Sequence, residues 1–161
     1  MTSGWIRLIL GGTLLGLFWM CSGCAANLER LAMDSFQPTI SAYHDGLRWK
    51  EFHRAARMIP LAERGRFVAQ REANEAVFDI VDYEIREVRW KTLESAEGAE
   101  DPFRATVIVE FRHVWKNEGV LRVTRMEQQW EFDGEQWLLR AQSEVREDGT
   151  SGPAATSGEL L

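Results

Sequence analysis

The chain has 161 residues, enough for one domain of ordinary size and short for two. Its 45% hydrophobic and 27% charged residues are the composition of a folded protein, which excludes disorder along its whole length. Residues Met1 to Gly23 hold one charged side chain, Arg7, so setting them aside moves the net charge from −6 to −7. No cluster of Lys and Arg breaks that sign in this reading. Nucleic acid is therefore a poor partner, and charge does not hold the domain on anionic headgroups.

The first segment reads as an export leader. Arg7 and the amino terminus make a short positive region, and the 13 residues Leu8 to Met20 are apolar apart from Thr13. That length falls within the about 7–15 residues of a signal core and below the about 20 that span a bilayer. The sequence Cys21-Ser22-Gly23-Cys24-Ala25 follows. It resembles the bacterial lipobox, in which a small residue and Gly or Ala precede an acylated Cys; here Cys21 stands where Leu is usual. The resemblance implies cleavage after Gly23 and lipid on Cys24, including palmitate-type acyl chains, which makes membrane release very slow. It also implies outer-membrane placement, because Ala25 stands where an inner-membrane retention Asp would be. A disulfide or Cys-x-x-Cys redox pair is the competing reading, but no strand–helix context surrounds it.

Helical spacing runs from Ala25 to Met58, with a break expected at Gln37-Pro38 because Pro38 lacks a donor N–H. Leu28, Leu31, Ala32 and Phe36 form one stripe; Ile40, Tyr43 and Leu47 continue it after the break; Trp49, Phe52, Ala55, Ala56 and Ile59 form another, with His53, Arg54 and Arg57 outward. Pro60 opens a further helix, Leu61 to Glu72, that buries Phe67 and Val68. From Ala76 the period becomes two. Phe78, Ile80, Tyr83 and Ile85 alternate with charges, and Val88 and Trp90 continue out of phase, which predicts a bulge near Arg86-Glu87. Glu94 to Asp101 is a loop. Ala105, Val107, Val109, Phe111, His113 and Trp115 predict the strongest strand, turned by Lys116 to Gly119 into another from Val120 to Phe132. Asp133-Gly134 predicts a mirror-type hairpin turn into Trp137. The expected division is a leader 1–23, a lipidated terminus and first helix 24–37, an α+β domain 38–142 and a disordered tail 143–161.

Helices followed by an antiparallel meander predict helices packed on one face of a curved sheet. The order resembles the nuclear transport factor 2-like, or SnoaL-like, superfamily. The resemblance rests on Tyr43, Leu47, Trp49, Phe52 and Ala55-Ala56, on Ala105-Thr106-Val107-Ile108-Val109, and on Gln129-Trp130 through Asp133-Gly134 to Trp137, spanning about Leu28 to Arg140. It implies a cone-like fold, and in the superfamily's enzymes an Asp or His base inside the cone. These are core and turn residues, so they speak for fold and not for chemistry.

His113 shares the inward phase of Val107, Val109 and Phe111, and Tyr83 is inward on its own strand. The next strand is ambiguous: Met126, Gln128 and Trp130 lie on one face, Arg125, Glu127 and Gln129 on the other. A cofactor-independent enzyme would use His113 with Tyr83 or Glu127 as its acid–base set. His44-Asp45 and His53 have no metal-ligand spacing and are expected on solvated helix surface, so no metal is expected. Ser41, Ser95 and Ser143 lie in no nucleophile elbow. Trp90, Trp115, Trp130 and Tyr43 are either core or contacts for an apolar ligand or protein partner. The favoured expectation is a non-catalytic, lipid-anchored envelope module that needs no cofactor, on the periplasmic side of the outer membrane. It binds a protein partner or small apolar ligand, with homodimer formation open; the alternative is the SnoaL-like enzyme. Changing Cys24 to Ser is expected to abolish metabolic palmitate labelling and leave soluble or leader-bearing protein. Labelling that persists moves the anchor to Cys21.

Overall fold

A computed structural model describes residues 22–91, 103–145 and 155–156. The leader with Cys21, the loop containing Ser95, and most of the expected tail lie outside the described residues. Helix α1 runs Ser22–Arg48, α2 Phe52–Ala55 and α3 Arg64–Glu75, with 3-10 turns at Ala56–Met58 and Leu61–Glu63 between the last two. The strands are β1 Phe78–Lys91, β2 Arg104–Trp115, β3 Val120–Phe132, β4 Trp137–Glu144 and the two-residue β5 Ala155–Thr156. They form one antiparallel sheet in sequence order, and the helices pack on its concave face.

The expected break at Pro38 is absent, and the boundary drawn between residues 37 and 38 falls inside α1. The reason is continuity of burial: Ala32, Phe36, Ile40, Tyr43 and Leu47 are each 3% exposed or less, at steps of four, four, three and four residues. That stripe crosses the proline while Pro38 itself faces solvent. Ser35 Oγ donates to the Leu31 carbonyl at 2.6 Å and Thr39 Oγ1 to the Ser35 carbonyl at 2.7 Å, so both hydroxyls are satisfied on the helix itself. Leu31, expected on the stripe, is instead exposed. The helix ends where Trp49, also expected in a buried stripe, turns out 65% exposed and stacks under the Arg48 guanidinium. Lys50 then takes the left-handed backbone region, φ 61°, held by Nζ contacts to Glu75 at 2.8 Å and Asp79 at 3.0 Å. Gly46 sits on the stripe because a Cβ there would lie 3.1 Å from both the backbone nitrogen and the Cβ of Ala55.

The inward row of β2 is as predicted: Ala105, Val107, Val109 and Phe111 are 1% exposed or less. β1 carries the expected bulge, one residue being skipped between Ile85 and Glu87, and a second at Val81. Together they keep Phe78, Ile80, Tyr83, Ile85, Val88 and Trp90 opposite the inward residues of β2 and bend the strand around the helices. On β3 the ambiguity resolves toward Met126, Gln128, Trp130 and Phe132, all buried. The β3–β4 connection is not a two-residue mirror turn. Phe132 pairs with Trp137, and the four residues between close on Asp133 Oδ1, which accepts from the backbone of Glu135 at 3.0 Å and Gln136 at 2.9 Å. β4 runs to Glu144, past the Gln142 at which the ordered part was expected to end, and Val145 N–H still bonds to the Arg125 carbonyl.

The convex face is a lattice of ion pairs. Glu110 accepts from Arg86 at 2.9 Å and lies near Arg112 and Arg125, while Glu131 bridges Arg104 and Arg140. Because α1 is continuous, Pro38→Ala removes a helix breaker from an exposed position. It is expected to raise stability by roughly 1–2 kcal/mol, part of the helix-propensity difference being offset by the freer unfolded chain. Urea denaturation measures this, and destabilisation would argue that the helix is broken there.

Candidate functional site

The interior of the cone is built from side chains that α1 lowers onto the inward rows of β1, β2 and β3. Its most informative group is Gln128, wholly buried at the centre of β3. Trp130 Nε1, two residues on and on the same face, lies 3.2 Å from Gln128 Oε1, and His44 Nε2 lies 3.1 Å from the same oxygen. An indole N–H only donates, so the atom it meets must be the amide oxygen; the histidine must then also donate, which places its proton on Nε2. Among the described residues neither His44 Nδ1 nor the Gln128 amide nitrogen has a hydrogen-bond partner.

His44 is a correction to the expected solvated surface histidine. It is fully buried because the helix stripe is wide enough to include the position after Tyr43. Burial drives its pKa down to about 4, against the opposing pull of Gln128, so the ring is neutral at physiological pH. Tyr83 stacks on this ring at 4.9 Å between centroids and donates to Asp45 Oδ1 at 3.0 Å. Burial, with Asp45 adding to it, pushes the Tyr83 phenol up to about 12. Tyr43 is buried against Phe67 and Trp130, and burial raises its pKa, while the Arg71 guanidinium beside it acts the other way. Arg71 is itself buried and lies over the Phe67 ring. It forms one wall of a hollow of about 20 Å³ at the open end of the cone, room for about one water. Leu47, Phe52, Phe78 and Ile80 form its apolar walls, and the contacts of Lys50 with Glu75 and Asp79 close its rim.

The expected acid–base set is not brought together. His113 is inward and 3% exposed, between Phe78 and Trp115, opposite Ile80 and Arg122. Burial and then Arg122 lower its pKa, and no carboxylate is within hydrogen-bond reach of Nδ1. Tyr83 is inward but committed to Asp45. Glu127 is corrected to the convex face, where it opposes Ile108 and lies 3.6 Å from Arg89. The sheet itself therefore separates it from both. Strand parity forces this, since Gln128 next to it points inward.

Of the aromatic candidates, Tyr43 and Trp130 are core. Trp90 is 42% exposed and packs on Phe36 at 4.3 Å and Trp137 at 5.9 Å, while Trp115 is half-buried under Arg122. Two buried indoles find protein acceptors: Trp130 uses Gln128, and Trp137 donates to the Ala32 carbonyl of α1 at 2.8 Å, whereas the buried Trp115 Nε1 has no partner among the described residues. His53 is exposed, and among the described residues no three His, Cys, Asp or Glu side chains converge on a metal position. Ser143 pairs within the sheet. No helix among the described residues is long and apolar enough to cross a membrane. No protein-family model, curated protein or solved structure matches the chain.

The folded-state pKa of His44 lies below its unfolded value of about 6.5, so the unfolded chain binds the extra proton first and acid favours unfolding. The His44 contribution is complete above that unfolded value and is lost as pH falls from 6.5 toward 4. It is expected to amount to roughly 3 kcal/mol. His113 adds in the same direction. Urea midpoints of wild type and His44→Leu across pH 7 to 4 measure the difference. Equal slopes in the two proteins would mean that this ring is not buried neutral.

Proposed function

We propose that the mature chain is a lipid-anchored accessory module of the bacterial envelope, held at the outer membrane by Cys24 and facing the periplasm, that docks a protein partner rather than turning over a substrate. Its fold is read as the cone of the nuclear transport factor 2-like superfamily. The interior supports binding over catalysis: His44, Gln128, Trp130, Tyr83 and Asp45 are committed to one another, and the hollow at the cone's open end holds about one water. A small apolar ligand therefore finds little space inside, which moves recognition to the surface. Cys24 falls in the first turn of α1, whose later turns are core, so a lipid on that residue tethers the domain through a helix.

The observation that carries the reading is the open half of β3. β4 pairs with β3 from Met126 to Phe132, and Val145 reaches Arg125; among the described residues Val120 to Thr124 have no strand on that side. Unpaired backbone donors and acceptors of a β-rich run are a template for an incoming strand. The same run exposes Val120 at 47%, Leu121 at 56% and Val123 at 57%, and Val81 adds to the apolar surface at the first bulge of β1. Tethering multiplies the effect of such a surface by raising its local concentration near other envelope proteins.

Partner capture from native envelopes tests the proposal. A protein that co-purifies with the wild type is expected to be lost with Val123→Glu and retained with His113→Ala. Retention with Val123→Glu together with loss for His113→Ala, in folded and correctly located protein, would reverse the ranking in favour of the small cofactor-independent enzyme.

A further inference from the structure

The absence of a cationic cluster inferred from the overall charge needs correction. Residues 53–72 carry five arginines against two glutamates in a chain of net charge −6. Three of these arginines differ from the rest of the surface. Among the described residues every other exposed or half-buried arginine is ion-paired, from Arg30 with Asp34 to Arg140 with Glu131. Among the described residues Arg57, Arg64 and Arg66 are in no ion pair. Arg64 instead donates to the carbonyl oxygens of Ile59 and Arg57, each at 2.9 Å, which fixes the bend between the Ala56–Met58 turn and α3 and keeps its charge at that bend.

That bend walls a surface groove of about 480 Å³. Its floor is Ala56, Gly65, Val68 and Ala69, and Arg57 and Arg64 stand on its sides with Glu72, which is also in no ion pair. Gly65, Val68, Ala69 and Glu72 recur at one face of α3, so the floor is a helix surface with little side-chain bulk above it. A Cβ added to Gly65 would meet nothing within 4 Å. The volume is that of a few peptide residues and lies within the roughly 300–1,000 Å³ of ordinary ligand clefts.

We propose that this groove seats a short acidic segment of a partner protein, with carboxylates on Arg57 and Arg64 and its backbone over the small-residue floor. Guanidinium groups match carboxylates in paired, charge-assisted hydrogen bonds; Arg57 is in no ion pair among the described residues, and Arg64 bonds only to backbone carbonyls, so neither charge is neutralised by a carboxylate. A flat anionic membrane would meet Glu72 and Glu63 along with the arginines. A long polyanion would be repelled by the acidic remainder of the molecule, whereas a short segment within about one Debye length, roughly 8 Å, feels mainly the groove. The surface is separate from the open half of β3, so it stands or falls independently of the docking reading above.

The test uses the intact lipidated protein in neutral detergent and the fluorescence anisotropy of a labelled peptide of alternating Glu and Ala. A Gln–Ala peptide, a DNA duplex and short-chain phosphatidylglycerol serve as comparison probes. The Glu–Ala peptide is expected to bind and the Gln–Ala peptide not. Charge reversal at Arg57→Glu is expected to weaken binding by roughly tenfold or more. Ala69→Trp, which keeps every arginine and fills the groove, is expected to abolish it while circular dichroism stays native. The proposal is overturned if the wild type does not bind the Glu–Ala peptide, if Ala69→Trp binds as well as wild type, or if DNA or phosphatidylglycerol binds more tightly than the peptide through the same arginines.

Discussion

Helix α1 and the concave face of the sheet bury each other, and the position of every interior side chain follows from that contact. The stripe from Ala32 to Leu47 meets Val107, Val109 and Phe111 of β2 and Met126 and Trp130 of β3 in one core. Removal of that apolar area from water drives the association. It also explains why α1 continues through Pro38. A local defect of a few kcal/mol is outweighed when turns on both sides of it are held by the same core. The sheet meets the helix by bending, and the bulges at Val81 and Arg86 give β1 the curvature that wraps it.

Placing polar groups inside such a contact sets their chemistry. The chain from Trp130 through Gln128 to His44 fixes the tautomer of the histidine by a donor-only indole two residues from the amide. Burial then keeps the ring neutral down to about pH 4. A neutral imidazole bonded to an amide orders the core and responds to acid. It is not paired with a carboxylate that would make it a base near neutral pH. The convex face has the opposite character, with Glu110 and Glu131 each gathering several arginines in solvent-facing pairs that contribute modestly one by one. Against that background, Arg57 and Arg64, in no ion pair among the described residues, stand out beside an open groove.

Parts of the candidate site were legible in the residues and parts were not. Alternation put His113 and Tyr83 on the inward face correctly, because strand parity is local. The face of Glu127 stays open in the sequence because a run of polar residues such as Glu127, Gln128 and Gln129 has no apolar marker to set its phase. His44 looks solvent-facing in the sequence because one helical position after a buried tyrosine is inward or outward according to the width of the surface opposite. That surface is contributed by Gln128, 84 residues away in sequence. The arginine groove is hidden in the sequence for a related reason. Sequence spacing shows which cations are near one another, but whether each has a carboxylate partner depends on strands folded against one another.

Local physics alone determined the order of elements, their periodicity, the bulge at Arg86 in β1, the turn at Gly119 and the inward face of β2, since each depends on backbone sterics and the burial preference of neighbouring residues. The α+β class followed from that order. Only the tertiary structure decided that α1 passes through its proline, that the four residues after Phe132 close on an aspartate side chain, and which face Glu127 takes. It also decided that one histidine is sealed in the core while Arg57, Arg64 and Arg66 keep their charges free. Each of these is a contest between a local preference and contacts distant in sequence, and the energy of the distant contact exists only once the helix is seated.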